Sequence, residues 1–163
     1  KANADLGDLL GAQTWGPCSY QEGTPDFFFY GIHGVEALYT LMGTGCETVS
    51  RVKAGNHDIA TGVWKNGRVG AYRGIVKGKA DFGAVAYGSK SIGQAAKAVS
   101  YEGLCRQIGK FFRTGATPVS AEETIEIFTF MEAADESLRQ GGKPVALAEV
   151  LAKAKAEAAK LIE

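Results

Sequence analysis

The stretch from Asp58 to Ile75 limits the possible folds of this chain more than any other. "HDIATGVW" and "RVGAYRGIV" are rich in strand-forming residues, and between them stands Asn66-Gly67, a pair that accepts positive φ at both central positions of a tight turn. Two such segments so joined make an antiparallel hairpin over Asp58–Ile75. On either side of the hairpin the apolar period is different.

Upstream, apolar residues recur as Ile32, Val35, Leu38, Tyr39 and Met42, the three-and-four spacing of an amphipathic helix, and Gly43 and Gly45 stop it. "ETVSRVKA" alternates imperfectly through Val49 and Val52, "DFGAVAYG" alternates through Phe82, Ala84 and Ala86 and reads as a strand, and "SIGQAAKAV" reads as a further strand or a short helical piece. After Ser100 the helical period returns: Tyr101, Leu104, Cys105, Ile108, Phe111 and Phe112 fall on one side, up to the "RTGATP" breaker. Ser120 and Glu123 form a capping box at the head of a helix carrying Ile125, Phe128, Met131 and Ala134, which ends before Gly141-Gly142. The alanine-rich "ALAEVLAKAKAEAAKLIE" is an intrinsic helix former. Residues 1 to 26 show no sustained period and read as extended or looped. Helix, strands, then helices define an α+β domain, a mainly antiparallel sheet with helices packed on one face.

At 163 residues the chain is the size of one domain, 1–163, with one core. Its 22 glycines, nearly twice the usual share of roughly 7%, imply many tight turns or close approaches. The 18 basic and 18 acidic residues cancel, which removes the global field that would draw the chain to nucleic acid or to an anionic membrane. No apolar run approaches the ~18 residues of a membrane-spanning helix. Cys18, Cys46 and Cys105 are odd in number and widely spaced, so they form neither a disulfide framework nor a zinc knuckle and read as semi-buried thiols. The opening "KANADLGDLLGAQ" lacks Met and any leader and reads as the interior of a longer chain.

Several short matches carry no chemistry. "GAVAYGSKS" misplaces the lysine of a phosphate loop by one residue, "DFG" at 81–83 has no catalytic loop before it, and G-x-G-x-x-G is absent. His57 beside Asp58 lacks a third ligand at metal spacing and reads as a surface turn residue. His33 is different. It falls in the first turn expected for its helix, where the dipole favours a neutral imidazole able to exchange one proton. Glu36 stands at i+3, on the polar side, away from the stripe of Ile32, Val35, Tyr39 and Met42. Gly31 and Gly34 flank the histidine, as if something must come close. The same spacing also fits a structural histidine satisfied by Glu36, with the glycines serving helix-on-sheet contact. In the preceding "FFFY" the phenylalanines read as core, with Tyr30 placed to present its hydroxyl to a cleft.

Three segments carry a resemblance. "FYGIHGVEALYTLMGTG", the hairpin around "WKNGRVGAYRG", and "FFRTGATPVSAEETIEIFTFMEAADESLRQGGKPV" together resemble the C-terminal domain of the Gfo/Idh/MocA oxidoreductases, the family of glucose-fructose oxidoreductase and inositol dehydrogenase. The helix-opening G-x-H-x-x-[DE], here Gly31, His33 and Glu36, is its most specific piece, and P-V-S-x-E-E is a second marker. The resemblance implies a two-domain enzyme in which an N-terminal Rossmann domain, absent here, holds NAD or NADP and supplies the catalytic lysine. It implies that the sheet is open, a sugar or cyclitol substrate, and a homo-oligomer formed through the open sheet face. It places His33 in proton transfer with a substrate hydroxyl; Glu36 beside it and Tyr30 at the end of the aromatic run are the expected substrate-binding residues. Phe29 stands where dehydrogenase members often carry an aspartate. Two other roles fit the same residues: a non-catalytic dimerisation or ligand-binding module, and a lyase or isomerase that works by transient oxidation with bound NAD.

Overall fold

A computed structural model of the chain describes residues 5–96 and 101–161. Its centre is a seven-stranded sheet. Seven strands (β1, Leu9–Pro17; β2, Cys46–Ala54; β3, His57–Trp64; β4, Val69–Ile75; β5, Gly83–Gly88; β6, Ile92–Ala96; β7, Val145–Ala146) lie in the order β6-β5-β1-β4-β3-β2-β7. The pairing of β1 with β4 is parallel and the others are antiparallel. The helices are α1 (Ile32–Met42), α2 (Tyr101–Thr114), α3 (Ala121–Arg139) and α4 (Leu147–Ala159).

The expected hairpin is β3 and β4, with His57 opposite Ile75. Its turn has Asn66 at φ 71° and Gly67 at φ 75°, as the dipeptide implies. The expected helix from Ile32 is α1; it buries Val35, Leu38, Tyr39 and Met42 and ends at Gly43, φ 68°. "SIGQAAKAV" resolves as strand through Ala96, and its remainder, 97–99, lies outside the described residues.

Alternation assigns the faces. Ala12 and Thr14 of β1, Val49 and Arg51 of β2, Asp58, Ala60 and Trp64 of β3, and Tyr72 of β4 point into the helix side and are buried. Tyr39 of α1, Trp64 and Phe130 of α3 form one aromatic cluster with centroids 5.6 to 6.1 Å apart, tying helix, sheet and second helix together. On the other face Val52, Val63, Val69, Tyr87 and Ile92 are exposed, interspersed with Ser50, Thr61 and Arg73, so that side of the sheet is uncovered and partly apolar.

Three expectations shift. The extended-or-looped reading of 1 to 26 did not single out β1, a nine-residue strand inside the sheet between β5 and β4. On α3, Ile125 and Phe128 are about half exposed, whereas Ile127, Phe130, Met131, Ala133 and Ala134 form its buried side. Ser120 does cap this helix, its hydroxyl accepting the Glu123 N–H at 3.0 Å. α2 keeps its apolar side, but Tyr101, Leu104, Ile108 and Phe112 are exposed and the helix has no buried residue.

Candidate functional site

The segment leading into α1 is a second helical element that the sequence did not announce. Phe27–Gly31 forms one π-helical turn, in which the Ile32 N–H donates to the Phe27 carbonyl, and it runs directly into α1. The helical run therefore begins five residues earlier than the apolar period suggests. His33 lies in its second turn, so the argument from first-turn position does not apply to it. The "FFFY" run divides: Phe27 is buried, Phe28 half-buried against Phe128 at 5.5 Å, and Phe29 and Tyr30 are exposed.

The structure brings together the three residues singled out in the sequence. The Tyr30 ring stands edge-on to the His33 imidazole, centroids 5.3 Å apart at 89°. His33 Nδ1 is 3.2 Å from Glu36 Oε2, and both side chains are about half exposed. A carboxylate can only accept, so Nδ1 carries the hydrogen and, in the neutral ring, Nε2 keeps its lone pair. Such an imidazole is equipped to accept a proton at Nε2 while Glu36 holds its orientation.

The flanking glycines answer to packing. A Cβ on Gly34 would overlap the edge of the Tyr72 ring, and one on Gly31 would stand 3.0 Å from Phe27 Cδ1 and 3.3 Å from Cys18 Sγ. What comes close on that side is the core. Thr14 adds a clamp, its hydroxyl donating to the Gly34 carbonyl at 2.8 Å.

Against the head of the π-turn lies an ionic cluster that no motif in the sequence marks. Arg51, with no exposed side-chain surface, donates from Nε to Asp58 Oδ1 at 2.7 Å and through its terminal nitrogens to Asp58 Oδ2, to Asp135, and to Asp26 at 2.6 Å. Its guanidinium lies 4.1 Å from the centroid of the Phe27 ring. Lys53 Nζ also reaches Asp26, at 2.9 Å, and the Tyr20 hydroxyl donates to Asp58 Oδ2 at 2.8 Å. Burial alone would lower the Arg51 guanidinium; the carboxylates, Asp58 foremost, outweigh it and hold the charge. Burial pushes the Asp135 carboxyl up more than Arg51 pulls it down. Burial likewise opposes ionisation of Asp26, but its bonds to Lys53 and Arg51 prevail and lower it. The available signal was phase: Arg51 stands two residues after Val49, on the inward side of the strand, where a charge requires partners.

The other candidates carry no site. His57 is exposed at the start of β3, and its neighbour Asp58 is taken by Arg51. Among the described residues no group of three His, Cys, Asp or Glu is placed to hold a metal ion, and no helix is long and apolar enough to cross a membrane. "GAVAYG" is strand β5 and precedes no helix N-terminus. Cys18 and Cys46 are buried, their thiols pushed up by burial to about 11 and about 12, and Cys105 is exposed. The surface grooves along α2 and between α3 and α4 include none of Tyr30, His33 and Glu36.

No protein-family model matches the chain, and no curated protein matches it by sequence. Solved structures do match. Scyllo-inositol dehydrogenase from Lactobacillus casei with bound cofactor NAD(H) and scyllo-inositol is similar over 88% of this chain and 58% of its own, with TM-score 0.70 and 10% identity. A probable dehydrogenase from Thermotoga maritima is similar over 90% and 58%, TM-score 0.73 and 17% identity. A myo-inositol dehydrogenase from Corynebacterium glutamicum is similar over 90% and 58%, TM-score 0.69 and 16% identity. The chain thus spans less than two thirds of the length of these structures. Over that span its fold is the one found in the Gfo/Idh/MocA-type inositol dehydrogenases.

Proposed function

We propose that the chain is the substrate-binding C-terminal domain of an NAD(P)-dependent oxidoreductase acting on a hydroxyl of a sugar or cyclitol. The observation that carries the reading is the His33 ring, oriented through Nδ1 by Glu36 and flanked by Tyr30, on a fold shared with an inositol dehydrogenase that has NAD(H) and its cyclitol bound. His33 Nε2 takes the hydroxyl proton as the alcohol is oxidised, Glu36 stabilises the ring that becomes charged, and Tyr30 packs against it and offers its hydroxyl to the substrate.

This chain's own residues do not fit the dinucleotide. The route from β1 to α1 passes through a loop and the π-turn rather than a glycine-rich strand-to-helix turn, and Asp26, at the head of that turn, is committed to Arg51 and Lys53. NAD or NADP is assigned to polypeptide outside these residues, as is the lysine. The uncovered sheet face, with its exposed Val63, Val69, Tyr87 and Ile92, supports self-association into a homo-oligomer. Phe29 on the rim of the site, without an aspartate, favours a second reading in which His33 binds the ligand and the chain acts as a ligand-binding or dimerising module.

The test is turnover by the full-length protein on a panel of cyclitols and aldoses with NAD+ and NADP+. Reduced nucleotide should form with at least one member, and the 163-residue chain alone should form none. Product without net reduced nucleotide would move the assignment to a lyase or isomerase; ligand binding without any product would favour the second reading.

A further inference from the structure

We infer that Asp26, acting through Arg51, is a positioning residue that sets Tyr30 against His33; the inference rests on the substrate-site reading above. An aspartate immediately before a helical turn ordinarily bonds the free N–H groups of that turn. Asp26 makes no such bond. Its carboxylate instead crosses to β2, where it accepts from Arg51 at 2.6 Å and from Lys53 at 2.9 Å.

Arg51 is a fixed anchor. Asp58 of β3 and Asp135 of α3 hold it from two directions, its backbone N–H donates to Ser137 of α3 at 2.9 Å, and Phe27 covers its face. Phe27, the first residue of the π-turn, is in turn held edge-on by Tyr72, centroids 5.4 Å apart. The head of the turn is thus fastened by a charge at Asp26 and by a wedged ring at Phe27. From there the wide π register carries the chain to Tyr30, whose ring meets His33. π-turns are uncommon and frequently lie at functional sites, and this one puts Tyr30 and His33 on one exposed surface.

A buried cluster of one guanidinium and several carboxylates is a poor way to gain stability, since well-packed apolar residues of similar volume often do as well or better. Its gain is in fixing one arrangement. Three elements meet on Arg51, and the arm to Asp26, which is partly exposed, is the one that reaches the site.

The test uses the full-length protein with Asp26→Asn and Asp26→Glu. In Asp26→Asn the NOE between the Tyr30 and His33 rings should vanish, while kcat/KM on the best polyol drops at least tenfold, the scale expected when a catalytic side chain moves by about 1 Å. Asp26→Glu, which keeps the charge, should restore the NOE and bring kcat/KM to within about threefold of wild type. Retention of the NOE with kcat/KM within twofold in Asp26→Asn would overturn the inference. Should Asp26→Asn fail to fold, Asp26→Ser, which removes the carboxylate from Arg51 while its hydroxyl can cap the turn, is read instead: a lost or weakened NOE supports the inference and an unchanged one overturns it. If the wild-type protein turns over nothing on the panel, the functional reading fails, and the NOE in the same variants still decides the positioning role.

Discussion

Gly34 of α1 lies beneath the ring of Tyr72 on β4, close enough that a Cβ at residue 34 would overlap the ring edge. Tyr72 is fully buried. The pair sets how closely the helix bearing His33 approaches the sheet.

Gly34→Ala should therefore destabilise the chain. Alanine gains up to about 1 kcal/mol in helix propensity, but overpacking a core costs typically about 1–3 kcal/mol and the overlap here is with a rigid ring. The melting temperature should drop by several degrees; an unchanged or higher value would show that the helix lifts off Tyr72 without penalty.

Breaking the buried cluster should cost more. Arg51→Met leaves Asp58, itself without exposed side-chain surface, as an uncompensated charge, and such losses run to about 3–5 kcal/mol. Arg51→Met with Asp58→Asn should recover part of that loss. Denaturant unfolding of both variants checks the order, and a double variant no more stable than the single would contradict it.

Glu126 fastens the loop after α1. Its Oε1 accepts the backbone N–H groups of Gly45 at 2.7 Å and Cys46 at 2.8 Å, and the Tyr39 hydroxyl at 3.2 Å. Glu126→Ala strands three partly buried donors, at a cost of about 1–3 kcal/mol. Amide exchange at Gly45 and Cys46 should accelerate along with the lower stability.

Stability against pH should bear opposite signatures of Asp26 and Asp135. Asp26 titrates lower in the folded chain than in the unfolded one, so its contribution is present above the ordinary carboxylate range and is lost as pH falls through the folded value. Asp135 titrates higher when folded, so its contribution is present below the unfolded value and is lost as pH rises through the folded one. Between about pH 7 and pH 3, Asp26→Asn should make the acid fall in melting temperature shallower and Asp135→Asn should make it steeper. Matching slopes in all three proteins would contradict the assignment.

The elements legible in sequence were those whose pattern depends on one face. α1 buries a stripe at three-and-four spacing, and the β3–β4 turn needs Asn66-Gly67 for its positive φ; both signals are local. β1 lies between β4 and β5, and its inward residues Ala12 and Thr14 are small while Gly11, Gly16 and Pro17 interrupt the pattern, so no alternation of large apolar residues marks it. In "IEIFTFM" nearly every second residue is apolar, which left the inward side of α3 ambiguous until Phe130 met Trp64. Tyr30, His33 and Glu36 were legible because they lie within one helical run. Arg51, Asp26, Asp58 and Asp135 converge from β2, the head of the π-turn, β3 and α3, and no local spacing encodes that meeting.

The central claim is that His33 handles a substrate proton. The most direct measurement is kcat/KM of His33→Ala against wild type in the full-length protein, on whichever polyol the panel selects, with folding checked by melting temperature. Loss of a positioned acid–base group should lower kcat/KM by about 10²–10⁴-fold with little change in stability, because the ring is half exposed and, among the described residues, its aromatic contact is with Tyr30. A fall of less than threefold would contradict the account and leave His33 as a ligand-binding or structural residue.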